Sequence, residues 1–230
     1  MRVRFALVLC LAGTLAAFAS EKDKFKTTQR LDDAAVVFSE IMGTPDKGIP
    51  QELLEKSRCV VIVPGLKKGA FILGAKYGKG FVSCRKAGGT GWTAPATVRV
   101  EGGSIGLQIG GAETDVVMLV MNERGMQKLM SSKFTLGGEG EVAAGPVGRN
   151  ASAQTDAKLQ AEILSWSRSR GAFAGISLQG ATLREDMEDN QELYGKAYEN
   201  REILSGKVAP PPAASKLISL LDKYSPRKTG

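Results

Sequence analysis

The stretch that decides the fold is CVVIVPGLKKGAFILGAKYGKGFVSCRKAGGTGWTAPATVRVEGGSIGLQIGG, residues 59–111. Its apolar residues fall largely in β pattern, punctuated by thirteen glycines. Cys59 to Val63 is apolar at every position, which predicts a central strand covered on both faces. Phe71 to Tyr77 and Gly80 to Arg85 read as two strands joined by a turn around Gly78, and Ala94 to Glu101 as the next. Ile105, Leu107 and Ile109 share one face of a further strand, whereas Gly106 and Gly110 flank Gln108 on a face almost without side chains. Such a face invites close approach by another backbone or a bound chain, a packed neighbour being the commoner case. Charge is equally one-sided. From Arg58 to Val100 there are eight basic residues (Arg58, Lys67, Lys68, Lys76, Lys79, Arg85, Lys86, Arg99) and no acid before Glu101. A sheet built from this block carries a positive field whose partner is an anion.

The rest of the chain limits what that partner can be. There is no histidine among the 230 residues and the formal net charge is +7, which removes most familiar catalytic devices and favours a binding module over an enzyme. Arg2 and Arg4, an apolar run from Phe5 to Phe18 and Ala17-Phe18-Ala19 read as a cleaved export signal over 1–19. Leu9 is bulky where lipoprotein processing wants a small residue, which argues against an anchor at Cys10. Cys59 and Cys84 then remain. They either close a disulfide or stay as buried free thiols, with thiols the favoured reading because both lie in β-like segments. Two thiols without histidine make a zinc site improbable.

Outside the β block, residues 27–42 read as an amphipathic helix through Leu31, Ala34, Ala35, Phe38, Ile41 and Met42, capped at Thr28 and stopped at Gly43. Packing on the sheet is preferred for it over lying in a membrane interface, since Asp32, Asp33 and Glu40 would be repelled by anionic lipid. Pro50 starts a short second helix. Val116 to Met121 is a buried strand, and Asn122 caps a helix with Met126, Leu129 and Met130 inward. Phe134 to Val147 is predicted as strand with turns. Leu164, Trp166, Arg168 and Arg170 alternate with Ser165, Ser167 and Ser169, and Gly171 turns the chain into Ala172–Leu183 as a hairpin. Residues 185–204 suggest short polar helices. Ala209 to Pro212 is a stiff linker before a last helix over Ser215 to Tyr224. This divides the chain into 1–19 as signal, 20–205 as one domain, and 206–230 as linker and terminal helix. The fold class is α+β: a bent, mostly antiparallel sheet or partial barrel with helices packed at its ends.

Several segments resemble signatures of the SYLF domain. They are Gly106-Leu107-Gln108-Ile109-Gly110, Asp115-Val116-Val117, Ala144-Gly145-Pro146-Val147-Gly148-Arg149, Ser165-Trp166-Ser167-Arg168-Ser169, Gly171 to Ser177, and Asn190 with Tyr194-Gly195. Together they span roughly 30–199, with Trp166 standing where tyrosine is frequent. The resemblance implies lipid binding. Eukaryotic members are described as phosphoinositide- and actin-binding modules usually coupled to an Src-homology-3 or zinc-finger domain. The export signal points instead to the bacterial branch, in the periplasm or on the outer surface, where neither phosphoinositide nor actin is carried over.

Catalytic readings fail on chemistry. Gly102-Gly103-Ser104-Ile105-Gly106 matches a nucleophile elbow, but no histidine can take the Ser104 proton. Ser83-Cys84-Arg85-Lys86 matches S-x-x-K without its companion motifs. Gly74 to Gly80 lacks the spacing and hydroxyl of a phosphate loop. Asp186, Glu188, Asp189 and Glu192 lack a calcium-loop pattern and read as a solvated helix face. Nucleic acid is disfavoured because the block has no aromatic stacking platform. The function expected is therefore non-enzymatic, cofactor-free, peripheral binding of anionic phospholipid. Lys67, Lys68, Lys76, Lys79, Arg85 and Lys86 would form the headgroup patch, and Leu66 could insert. The alternative is an envelope scaffold that meets an acidic protein partner through the same face.

Overall fold

The computed structural model describes residues 26–44, 48–70, 73–88, 90–105, 110–138, 142–145, 161–169, 172–173 and 178–226. The segment 1–19, expected from sequence to be an export signal, and the core of the glycine-flanked motif, 106–109, lie outside these residues.

The structure is α+β, with one curled, mostly antiparallel sheet. Its strands are β1 (Cys59–Ala70), β2 (Leu73–Cys84), β3 (Ala96–Ile105), β4 (Gly110–Val120), β5 (Lys133–Thr135), β6 (Val142–Ala144), β7 (Ile163–Ser169), β8 (Ala172–Phe173) and β9 (Thr182–Glu185). Their order is β5-β9-β3-β2-β1-β4-β7-β6, with β8 added to β7, and only β6–β7 is parallel among the described strands. The helices are α1 (26–42), α2 (Gln51–Lys56), α3 (Glu123–Leu129), α4 (Met187–Tyr194), α5 (Asn200–Leu204) and α6 (Ser215–Tyr224).

Alternation along the strands sends side chains into two cores. One face presents Val60, Ile62, Phe81, Val117, Leu119, Leu164 and Trp166 to Leu31, Ala34, Ala35, Phe38 and Ile41 of α1, and to Leu217 and Leu221 of α6. The other collects Val61, Val63, Leu66, Val82, Val98, Val100, Val116 and Met118 with Leu129, Phe134 and Ile203. Cys59–Val63 is thus the doubly covered strand its composition predicts. The apolar face of α1 packs on the sheet, and Phe38 meets Tyr224 of α6 edge-to-face at 6.0 Å between ring centroids. Asn122 caps α3 by accepting a hydrogen bond from the Gly125 amide at 2.8 Å.

Two details depart from expectation. First, no turn interrupts 73–84: β2 runs straight through Gly78 and Gly80. A Cβ on Gly80 would collide with the Ile62 carbonyl oxygen, and one on Gly78 would stand 2.7 Å from Leu66 Cδ1. These glycines mark close approach inside a sheet, not a turn. The approach is forced by a bulge in β1. Ile62 pairs with Phe81 but Lys67 with Tyr77, and Val63 pairs with Val116 but Leu66 with Thr114, so β1 carries one extra residue against both neighbours. Gly65 takes a positive φ of 58° there. Second, Cys59 and Cys84 are bonded across the β1–β2 ladder, where they are register partners with Cα atoms 4.0 Å apart. Strand pairing itself brings the two thiols together, which composition could not show.

Candidate functional site

At the far end of the sheet from the disulfide, α1 and the strands diverge and leave an open groove of about 1180 Å³. Its floor is the bulge, Pro64 and Gly65, with Gly78. Lys67, Tyr77, Lys79, Glu113, Asp115 and Arg168 rise from β1, β2, β4 and β7, and Lys26, Arg30, Asp33 and Glu40 face them from α1. Register explains the gathering. Lys67 stands opposite Tyr77 on one side and Glu113 on the other, so all three share the face turned to α1. Tyr77 is 45 % exposed.

The two sides of the groove differ in charge. On the β2 side, Lys79 reaches Asp186 at 2.9 Å and Asp189 at 2.8 Å, and Arg30 also pairs with Asp189. Both carboxylates are buried at the start of α4, where Asp186 caps the helix. Burial pulls the Lys79 ammonium toward neutrality, but hydrogen bonds and charge from Asp189 and Asp186 outweigh it and leave its pKa raised. On the β4 side, Arg168 bridges Glu40 of α1 and Asp115, 3.3 Å away, while the Gly65 amide donates to Asp115 at 3.0 Å. For Arg168 too, burial is overridden by its two carboxylates, which raise its pKa. Ion pairs at both margins therefore hold α1 over the sheet.

The six basic residues chosen from sequence do not share a surface. Lys67 is exposed and Lys79 half-buried on the α1 face. Lys68 and Lys76 are register partners on the opposite face, and Lys76 is only 5 % exposed. Burial, with the Lys68 charge added, lowers the Lys76 pKa. Arg85 is 7 % exposed and works inside the protein: it donates to the Ser225 carbonyl at 2.9 Å, contacts the Ser225 hydroxyl, and lies 4.0 Å over the Trp92 ring. Lys86 is exposed but lies past the other end of β2, roughly 30 Å from Lys76 at strand rise. Leu66 is fully buried and cannot insert into a membrane. Sequence shows how many charges there are; register and bulge decide which way each one points.

The remaining motifs become structural. Ser83 donates to the Thr93 carbonyl at 2.7 Å and Cys84 is in the disulfide, so the S-x-x-K tetrapeptide holds no reactive pair. Asp186 and Asp189 are buried ion-pair partners, which corrects the reading of their helix as wholly solvated. Among the described residues no cluster of acids or cysteines fits a metal ion. Asn190 is the hub beneath the site. Its Oδ1 accepts from the Thr97 amide at 2.9 Å and hydroxyl at 2.7 Å, and its Nδ2 donates to Tyr198 O and Asn200 Oδ1. Tyr194 donates to Pro95 O at 2.6 Å, and burial raises its phenol pKa.

Asp115, Trp166, Arg168, Asn190 and Tyr194 all belong to the segments that resemble SYLF signatures; Asp115 and Arg168 line the groove, while Trp166, Asn190 and Tyr194 serve the packing and hydrogen bonding of the fold. The family described as Ysc84, Las17-binding protein actin regulator, matches residues 101–224. The chain belongs to the Ysc84 family. This is the SYLF family that the motifs resemble. Relatives of this Ysc84-family chain include SH3 domain-containing YSC84-like protein 1 of Xenopus laevis, 36 % identical over 79 % of this chain and 54 % of its own length. Protein YSC84 of Saccharomyces cerevisiae is 32 % identical over 88 % of this chain and 43 % of its own length. LAS seventeen-binding protein 3 of the same yeast is 31 % identical over 92 % and 47 %. The chain thus spans about half the length of the relatives it matches. These relatives are frog and yeast proteins, which overturns the assignment to the periplasm or outer surface of a bacterium. The family is described as a binding protein and actin regulator, and one of these relatives is named for binding, in accord with a binding rather than an enzymatic role.

Proposed function

We propose that this Ysc84-family chain binds anionic phospholipid at a membrane surface, without catalysis, through the far end of β1 and β2. Lys67 makes the headgroup contact from the groove, with Tyr77 beside it and Lys26 and Arg30 across from it, and Lys68 makes one from the opposite face of the same strand end. The observation that carries the reading is the gathering of cations at this end: exposed Lys67 stands over the groove, and half-exposed Lys68 lies on the opposite face in register with buried Lys76. An anionic surface is the natural counter-charge to the outward lysines. Each exposed lysine near an anionic surface contributes about 1 kcal/mol, an attraction that salt weakens. Among the described residues no helix is long and apolar enough to cross a membrane.

Co-flotation with vesicles of rising anionic lipid content tests this. Binding should rise with anionic lipid, fall with salt, and weaken at least thirtyfold in Lys67→Glu/Lys68→Glu, about 2 kcal/mol for the two lost attractions before the added repulsion is counted. Lys86→Glu, several Debye lengths away, should float as wild type. Unchanged flotation of the double variant refutes the assignment. A protein partner at the same groove is the second reading. Glu40, Glu113 and Asp115 favour it, because they set acids beside the lysines in a way that suits a mixed-charge protein surface. Binding of an acidic protein without vesicles, lost in the same double variant, would select it.

A further inference from the structure

A second groove, of about 390 Å³, runs between α1 and α6 on the outside of the molecule. Its floor is apolar, made by Ala35 and Val36 of α1 and Leu220 of α6, with Ser39 and Ser219 at its edges. Val36 is 42 % exposed, and Val36 and Tyr77 are the only large apolar side chains left that open among the described residues. Lys216 and Lys223 form the α6 rim, seven residues apart and therefore two turns along one helix face, roughly 10 Å in the axial direction. Both are exposed, and among the described residues neither has a carboxylate partner; Lys223 lies 5.2 Å over the Tyr224 ring. The opposite rim carries Glu40, already committed to Arg168. The uncompensated charge of the groove is thus positive and confined to α6.

A concave slot between two helices, apolar below and basic along one rim, receives a third helix by ridge-into-groove packing. A flat bilayer would bridge the slot without filling it. We propose that the α1–α6 groove docks an amphipathic helix of a protein partner. The apolar ridge of that helix lies on Val36 and Leu220, and two acidic residues spaced by seven meet Lys216 and Lys223. This surface adjoins the phospholipid site, sharing Val36 and Glu40 with the lining of that groove but none of the headgroup-contacting lysines.

Selection from a displayed library of helical peptides, with the apolar ridge fixed and the flanking positions randomised, tests the proposal. Binders are selected on the full chain and counter-selected on Val36→Asp. Enriched binders should carry Asp or Glu at seven-residue spacing on one flank. They should lose at least tenfold in affinity to Lys216→Glu/Lys223→Glu, recover when their own acids are changed to lysine, and bind Lys67→Glu/Lys68→Glu as wild type. No Val36-dependent binder, or binders with a neutral or basic flank, would overturn it. So would loss of vesicle flotation in Val36→Asp and Lys216→Glu/Lys223→Glu, which would make the groove a membrane face instead.

Discussion

Reducing the Cys59–Cys84 bond should cost this protein a sizeable share of its stability. The bond spans a sequence separation of 25. Restoring the freedom of an unfolded loop of that length removes about 3.5 kcal/mol in the chain-entropy description. The folded state adds little to this, because β1 and β2 are register-paired inward from the bond, with the Arg85 amide bonded to the Arg58 carbonyl just beyond it, and need not move when it opens. For a chain of this size the loss lowers Tm by roughly 7–14 °C. Both sulfurs are buried, Cys59 at 0 % and Cys84 at 1 % exposure, so the folded protein should resist mild reductant that acts at once in denaturant. The assay compares urea melts of the oxidised chain with those of chain reduced in urea and refolded in reductant. Thiol titration of unreduced, denatured chain supplies the control: of three cysteines, only Cys10 should react. The reasoning is refuted if all three react, or if the two melts share a midpoint.

Three further outcomes follow from the groove and its support. Asp189→Ala strips a buried partner from both Arg30 and Lys79 and should destabilise by about 2–3 kcal/mol in chemical denaturation, below the range for fully buried pairs because both cations keep some water; a change under about 0.5 kcal/mol would mean the network is ornamental. Gly80→Ala drives a Cβ into the Ile62 carbonyl and should cost on the order of 3 kcal/mol, whereas Gly88→Ala, with nothing within 4 Å, should be nearly neutral in the same melts. Lys79 has a raised folded pKa, so its stabilisation is complete below its unfolded value of 10.5 and fades as pH climbs through the higher folded value. Lys79→Arg does not titrate there, so its alkaline melts should part from wild type only above about pH 10.5; parallel curves would remove Lys79 from the pH response.

Where a pattern in the sequence answers to local physics, it survives in the fold. Leu164, Trp166 and Arg168 alternate against serines, and β7 turns Leu164 and Trp166 into the core and Arg168 to its carboxylates. Asn122 before a short apolar-periodic run caps a helix, as such residues do. Gly78 misleads because glycine serves turns and tight strand crossings alike, and only the bulge in a different strand tells them apart. The basic patch misleads for a related reason. Lys67, Lys76 and Arg85 look alike in sequence, yet one is exposed in the groove, one is covered on the other face and one clamps the C-terminal end of α6. The carboxylates that neutralise Lys79 come from residues 186 and 189, more than a hundred positions away. No window around Lys79 contains them. The groove itself is assembled from α1, β1, β2, β4 and β7, so its lining has no contiguous signature.

The extra residue in β1 has a consequence for how this protein tolerates insertions and deletions. The bulge already absorbs that residue, so deleting Pro64 or Gly65 would leave a regular ladder in which Leu66 still meets Thr114 and Lys67 still meets Tyr77. One residue more would instead exchange the faces of everything beyond it and take Leu66 out of its core. Shortening here should therefore be felt as the loss of the groove floor, and lengthening as misfolding.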